Sequence, residues 1–143
     1  WFAPYDKPIL LVTHDRDEAA AAARVFARVG LDNTVGHLEG GINAWQEAGL
    51  PTAQTRWSNL GALPDGTTII DVRAANEFEE GHVEGARNIF LGLLPEGDLP
   101  GKHEPIALIC LTGDRSTVAA SVLEQRGFTN LYNISGGMRA QED

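Results

Sequence analysis

Pro105-Ile106-Ala107-Leu108-Ile109-Cys110-Leu111-Thr112-Gly113-Asp114-Arg115-Ser116 is the stretch from which the rest of the chain is read. Its front is an unbroken apolar run, the pattern of a strand buried on both faces of a parallel sheet. Its rear is a short loop containing one glycine. Residues 116–126 then read as a helix, stopped by Gly127. A strand that runs through a short loop into a helix is the repeating unit of an open α/β sheet. In such sheets ligands bind where the strands end. Cys110 stands at that place.

Outward from this stretch, strand and helix signals alternate. Towards the C-terminus, residues 130–134 read as a strand, and Gly136-Gly137 starts a last turn. Towards the N-terminus, residues 67–72 are a strand introduced by the turn Pro64-Asp65-Gly66. Residues 74–80 are a short helix ended by Gly81, and residues 87–90 a short strand. Residues 91–103 are rich in Gly and Pro and read as loop. Residues 51–57 have no periodicity and read as a linker. Before them come a strand (8–13), an Ala-rich helix (17–29) closed by Gly30, a strand (33–38) and a brief helix opened by Gly40-Gly41.

The order strand, loop, helix, Gly, strand, Gly-Gly therefore occurs twice, at 9–45 and 106–140. Gly30 aligns with Gly127 and, allowing one added residue, Gly40-Gly41 with Gly136-Gly137. The front half of the unit occurs once. The fold class expected is α/β: an open parallel sheet with helices on both faces, preceded by a partial second unit of the same kind. Domains are expected at 1–50 (partial unit) and 58–143 (whole unit).

Composition narrows the function. The chain has 143 residues and a formal net charge of −9, which argues against nucleic-acid or anionic-membrane partners. No stretch approaches the ~20 apolar residues of a membrane span. The N-terminus reads as neither signal peptide nor initiator Met, so a processed or cut piece is expected. One cysteine excludes an internal disulfide and fits a reducing, cytoplasmic setting. His14, His37 and His103 share no metal spacing, and no Gly-x-Gly-x-x-Gly fingerprint occurs, so no metal or cofactor is expected.

Most lone cysteines are small core residues; the neighbours of Cys110 point elsewhere. Backbone N–H groups of the loop and of the following helix N-terminus form a concave anion site. Arg115 adds a full positive charge, and both lower a thiol pKa. Gly113 lets the backbone curl inward. Thr112 and Ser116 offer hydroxyl donors, with Ser116 also a candidate N-cap. Asp114 opposes the field and should face outward. Four residues separate Cys110 from Arg115. That makes a ring sized for one sulfur atom; cysteine phosphatases use one residue more.

With these residues in view, the chain resembles the rhodanese (thiosulfate sulfurtransferase-like) superfamily. Ile70-Asp71-Val72-Arg73 with Glu77 and Gly81 to Ile89 looks like its first signature. Cys110 to Ser116 matches its active-site loop, and Gly136-Gly137-Met138-Arg139-Ala140 resembles its closing signature. The resemblance implies that Cys110 carries sulfur as a persulfide. The loop residues Leu111, Thr112, Gly113, Asp114, Arg115 and Ser116 would bind the substrate. Sulfur would pass by ping-pong transfer from a small-molecule or protein donor to a thiol or cyanide acceptor. Residues 1–12 and 38–45 look like the inactive first rhodanese unit of bacterial metallo-β-lactamase-fold/rhodanese fusion proteins. That implies a metal-hydrolase-like partner domain, and homodimer contact through residues 1–50 is the other expectation for this part.

Departures from the pattern carry information. Thr13 stands where Cys110 stands in the second repeat, so the first site should be dead for sulfur transfer. Leu111 follows the cysteine where many thiosulfate-using members have Arg, which weakens the case for a dianionic donor. The chain ends Gln141-Glu142-Asp143 where the family usually shows a Trp and a final helix. Asp71 at a strand end is expected to orient the loop amides or Arg115, or to serve merely as a strand-terminal turn residue. Arg73 and Glu77 read as an ion pair four residues apart. His82 reads as a loop tether, and Trp45 as core packing. Trp1, Phe2 and Tyr5 read as an aromatic cover for an open sheet edge. The competing functions are a non-catalytic docking or regulatory module and, less favoured by the loop spacing, a cysteine phosphatase.

Overall fold

The computed structural model describes residues 5–141. Trp1 and Phe2 of the expected aromatic cluster lie outside them, as do Glu142 and Asp143. The chain divides into two compact units, Trp1–Ala53 and Gln54–Asp143.

In the first unit, β1 (Ile9–Leu11) pairs in parallel with β2 (Thr34–His37). Between them runs α1 (Arg16–Arg28), and after them α2 (Gly41–Glu47). Asp15 caps α1 by accepting from the Glu18 N–H at 2.8 Å, and Asp17 and Glu18 complement the dipole in its first turn. The sequence suggests that β1 is buried, and here the structure differs. Leu10 is 63% exposed and only Leu11 is buried in the strand. The reason is the alternation of side chains between the two faces: Leu10 and Val12 point to one exposed face, and only the opposite face, with Leu11, is covered.

The second unit holds a five-stranded, all-parallel sheet in the order β3-β7-β6-β4-β5. Its strands are β3 (Arg56–Ser58), β4 (Thr68–Asp71), β5 (Arg87–Asn88), β6 (Ile106–Ile109) and β7 (Leu131–Ile134). Two helices complete it, α3 (Ala75–Glu80) after β4 and α4 (Asp114–Gln125) after β6. The apolar run before Cys110 forms β6, the central strand, and all four of its residues are fully buried. Helix α4 packs on β6 and β7 with Ala119, Ala120 and Leu123 buried. A second cluster joins Ala107, Ile109, Ile134 and Met138, with Leu60, Leu63 and Leu111 against it. Each buried Leu or Ile here stabilises the fold by about 1.5–3 kcal/mol.

The supposed linker is partly a strand. Residues 56–58 pair with β7 at the sheet edge, with Arg56 opposite Tyr132 and Ser58 opposite Ile134. Three residues with an exposed Trp57 carry no local signal, and the edge of β7 supplies the partner that makes them a strand. The second unit therefore starts before residue 58. Residues 91–96 form a 3-10 turn that buries Leu91 and Leu94.

Because β6 is enclosed on both faces, Leu108→Ala should cost about 2–5 kcal/mol. The check is urea unfolding of the whole chain; an unchanged midpoint would mean that β6 is not the centre of the core.

Candidate active site

The site begins where β6 runs out. Cys110 follows Ile109, the chain turns, and α4 starts at Asp114. The turn needs Gly113, whose φ of +108° is a conformation that side-chain-bearing residues rarely adopt. A Cβ there would also press on the Trp57 ring at 3.1 Å. The other wall is the Gly136-Gly137 turn. Met138 N–H donates to the Cys110 carbonyl (2.8 Å) and Arg139 N–H to the Leu111 carbonyl (3.1 Å). Any side chain at Gly137 would collide with the Cys110 carbonyl.

This frame aims donors at the sulfur. The Gly113 N–H donates to Cys110 Sγ at 3.1 Å, and the Ser116 hydroxyl oxygen lies 3.4 Å from it. Burial pushes the thiol up, since the residue is only 1% exposed. The Ser116 hydroxyl and the amides of Ser116, Gly113 and Thr112 pull it down by more, so its pKa lies below the ordinary value. The amides are thus turned onto the sulfur at the floor of the loop.

The remaining loop residues divide. Leu111 is half-buried against the core. Thr112 and Asp114 are exposed, and the Thr112 hydroxyl donates to Asp114 Oδ2 at 2.8 Å. Thr112 therefore serves the sulfur through its amide and not, as the sequence suggests, its hydroxyl. Ser116 is not the N-cap either. Gly113 precedes the helix, and Ser116 lies in the first turn, fully buried beside the sulfur.

The ion pairs rearrange the sequence-based expectation. Arg115 forks onto Glu77, with Nη1 to Oε2 and Nη2 to Oε1 both at 2.7 Å. The Arg115 guanidinium holds the Glu77 carboxyl down at about 2, against burial, with the Ala74 N–H as a further donor. Glu77 in turn raises the pKa of Arg115. Arg73 does not pair with Glu77. It is buried on Asp71, with Nη2 to Oδ2 at 2.7 Å and the Arg73 N–H to Oδ1 at 2.9 Å, and Nη2 also reaches the Gly81 carbonyl. Asp71 therefore anchors Arg73 and the turn after α3, not Arg115 or the loop amides. The sequence could not choose between these pairings, because Asp71, Arg73, Glu77 and Arg115 all converge at adjacent strand ends.

One residue of the site escaped the sequence reading. Asn133, on β7, is fully buried, and its Oδ1 lies 2.6 Å from Ser116 Oγ. The available signal was an amide inside the apolar strand Leu131–Ile134.

In the first unit, Thr13 occupies the matching strand end. The Gly40-Gly41 backbone (φ +73° and +59°) repeats that of Gly136-Gly137 (+70° and +60°), and Gly41 likewise faces the Thr13 carbonyl. The loop's His14 N–H is taken by the Glu18 carboxylate at 2.7 Å. No cluster of three or more metal-type ligands occurs among the described residues. His82 donates from Nδ1 to the Phe78 carbonyl (2.9 Å) and stacks on Phe78, a local tether of the turn after α3.

The chain matches the family model described as "Rhodanese-like domain" over residues 1–48 and 56–142. It is 43% identical over 72 residues to the uncharacterized protein YqhL of Bacillus subtilis, spanning 50% of this chain and 57% of that one. It is 33% identical to the thiosulfate sulfurtransferase GlpE of Shewanella oneidensis, over 50% of this chain and 72% of GlpE. It is 32% identical to the tRNA uridine(34) hydroxylase of Teredinibacter turnerae, over 68% of this chain and only 32% of that protein. Among solved structures, a Rhodanese_3 like domain of an Anabaena protein superposes with a TM-score of 0.51 at 24% identity, covering 54% of this chain and 91% of that one. This likeness speaks for the fold alone.

The Glu77–Arg115 pair makes a pH-dependent prediction. The Glu77 pKa is depressed from an ordinary 4.5 to about 2. Its stabilisation is thus complete above 4.5 and is lost as pH falls through about 2. The side chains are 31% and 29% exposed, so after discounting for solvent the difference from Glu77→Gln should be about 1–2 kcal/mol at neutral pH. Denaturant unfolding of both proteins should show that gap closing between pH 4.5 and 2; a constant gap would refute the pairing.

Proposed function

The chain belongs to the rhodanese-like domain family, and on that premise we propose that it is a sulfurtransferase working through a persulfide on Cys110. The observation that carries this reading is the thiol at the end of β6, with the Ser116 hydroxyl and inward amides that lower its pKa. In the first half-reaction the Cys110 thiolate attacks the outer sulfur of the donor. The bond between that sulfur and the donor breaks, and its electron pair leaves with the donor as a thiolate or sulfite. The product is Cys110–S–S⁻, whose terminal anion suits the same N–H donors. In the second, an acceptor thiolate or cyanide attacks the terminal sulfur and Cys110 departs as thiolate.

The charges favour one donor class. Arg115 commits both terminal nitrogens to Glu77, and Leu111 brings no cation. A dianionic donor such as thiosulfate gains little from this loop, whereas a low-molecular-weight or protein persulfide needs only the amide cradle. Residues 1–50 fit a partial unit without sulfur chemistry, since Thr13 replaces the thiol and Glu18 fills the loop. An association with a metallo-β-lactamase-fold domain, and pairing of two copies through residues 1–50, are carried by the resemblance alone.

Mass spectrometry after exposure to glutathione persulfide should show one added sulfur on Cys110, absent in Cys110→Ser. A folded protein that takes sulfur from neither this donor nor thiosulfate would defeat the proposal. Leu111→Arg should raise kcat/KM for thiosulfate about tenfold, the worth of one charge-assisted contact, with little effect on the persulfide donor.

A further inference from the structure

Buried behind the sulfur is a polar network with a single mobile proton. Asn133 Nδ2 donates to the Gly113 carbonyl (3.2 Å) and to Thr117 Oγ1 (2.7 Å). Thr117 Oγ1 can accept because its own proton goes to the Gly113 carbonyl at 2.8 Å. These bonds orient the amide, so that Oδ1 faces Ser116 Oγ at 2.6 Å. The Ser116 hydroxyl has one proton and three acceptors in reach: Asn133 Oδ1, the Gly113 carbonyl at 3.0 Å and Cys110 Sγ at 3.4 Å. The Gly113 carbonyl already receives Thr117 N–H, Thr117 Oγ1 and Asn133 Nδ2. The proton's choice is therefore between Asn133 and the sulfur.

We propose that Asn133 is a positioning residue that holds the Ser116 proton while Cys110 is neutral and yields it to the sulfur when Cys110 carries charge. With the thiol protonated, Ser116 donates to Asn133 Oδ1 and is free to accept from S–H. On ionisation the S–H proton leaves to solvent and its electron pair stays on sulfur. The hydroxyl then rotates to donate to Sγ, and Asn133 Oδ1, buried, loses its partner. During transfer the same rotation follows the charge. The hydroxyl serves Sγ as attacking thiolate, returns to Asn133 once Sγ is the uncharged inner sulfur of the persulfide, and serves Sγ again as it leaves.

The charged and titratable groups on the elements around Cys110 are Asp71 and Arg73, bound to each other, Glu77 and Arg115, likewise paired, the exposed Arg56, Glu79, Glu80, Asp114, Glu124 and Arg139, and Tyr132 on β7. None changes in the variants below, so a shift in the thiol reads the hydroxyl.

The inference deepens the sulfurtransferase reading, and its test needs no sulfur donor, so either can fail without the other. The test is the pH dependence of iodoacetamide alkylation of Cys110 in the whole chain. Ser116→Ala should raise the midpoint by about one pH unit, the loss of one hydrogen bond to a charged group. Asn133→Leu should lower it, because the hydroxyl no longer has a competing acceptor, and should have no effect in the Ser116→Ala background. A merely structural Asn133 would loosen the loop and raise the midpoint; that result, or a shift persisting without Ser116, overturns the proposal. Should Asn133→Leu not fold, the unmodified protein decides. Its Asn133 side-chain carbonyl 13C resonance should move with the alkylation midpoint and stay flat in Cys110→Ser. A resonance that does not follow Cys110 ionisation overturns the proposal equally.

Discussion

The structure of the second unit is organised around one constraint: a buried sulfur that can carry negative charge only if main-chain N–H groups turn onto it. Burial alone would keep the thiol protonated. The Ser116 hydroxyl, with the amides of Ser116, Gly113 (N–H to sulfur 3.1 Å) and Thr112, reverses that outcome. Backbone donors do this better than side chains, since they are fixed by the fold and need no reordering when charge develops. The features around them serve to keep the loop curled. Gly113 supplies the left-handed turn, Gly137 allows the closing turn to approach the Cys110 carbonyl, and Met138 and Arg139 tie the strand end by their amides.

Charge around the loop is handled by pairing. Asp71 with Arg73, and Glu77 with Arg115, form two forked contacts at neighbouring strand ends. The first is buried and tethers the turn after α3 through the Gly81 carbonyl. The second is half-exposed and fixes the start of α4 to α3. Such pairs position elements more than they add stability. The guanidinium in the loop is therefore a strut, and the donors at the sulfur are the loop amides and the Ser116 hydroxyl.

The first unit shows what the same backbone does without the thiol. Its Gly-Gly turn has nearly the same φ angles, and Thr13 sits at the strand end. There a carboxylate of the chain itself, Glu18, occupies a loop amide. A scaffold that presents N–H groups attracts an anion; where no sulfur is offered, a neighbouring side chain meets the need.

The order of strands and helices, the central position of β6, and the loop that holds Cys110 were legible in the sequence, because each rests on local pattern: an uninterrupted apolar run, a glycine where the turn needs positive φ, a doubled Gly-Gly. Tertiary structure alone decided the rest. Residues 56–58 became a strand only because β7 offered an edge, and Leu10 stayed exposed because only the opposite face of β1 is covered. That Glu77 meets Arg115, leaving Arg73 to Asp71, and that Asn133 stands behind Ser116, depend on contacts between residues 38 and 17 positions apart. Short-range pattern encodes backbone shape, whereas the pairing of polar side chains is settled by which strand ends the sheet places side by side.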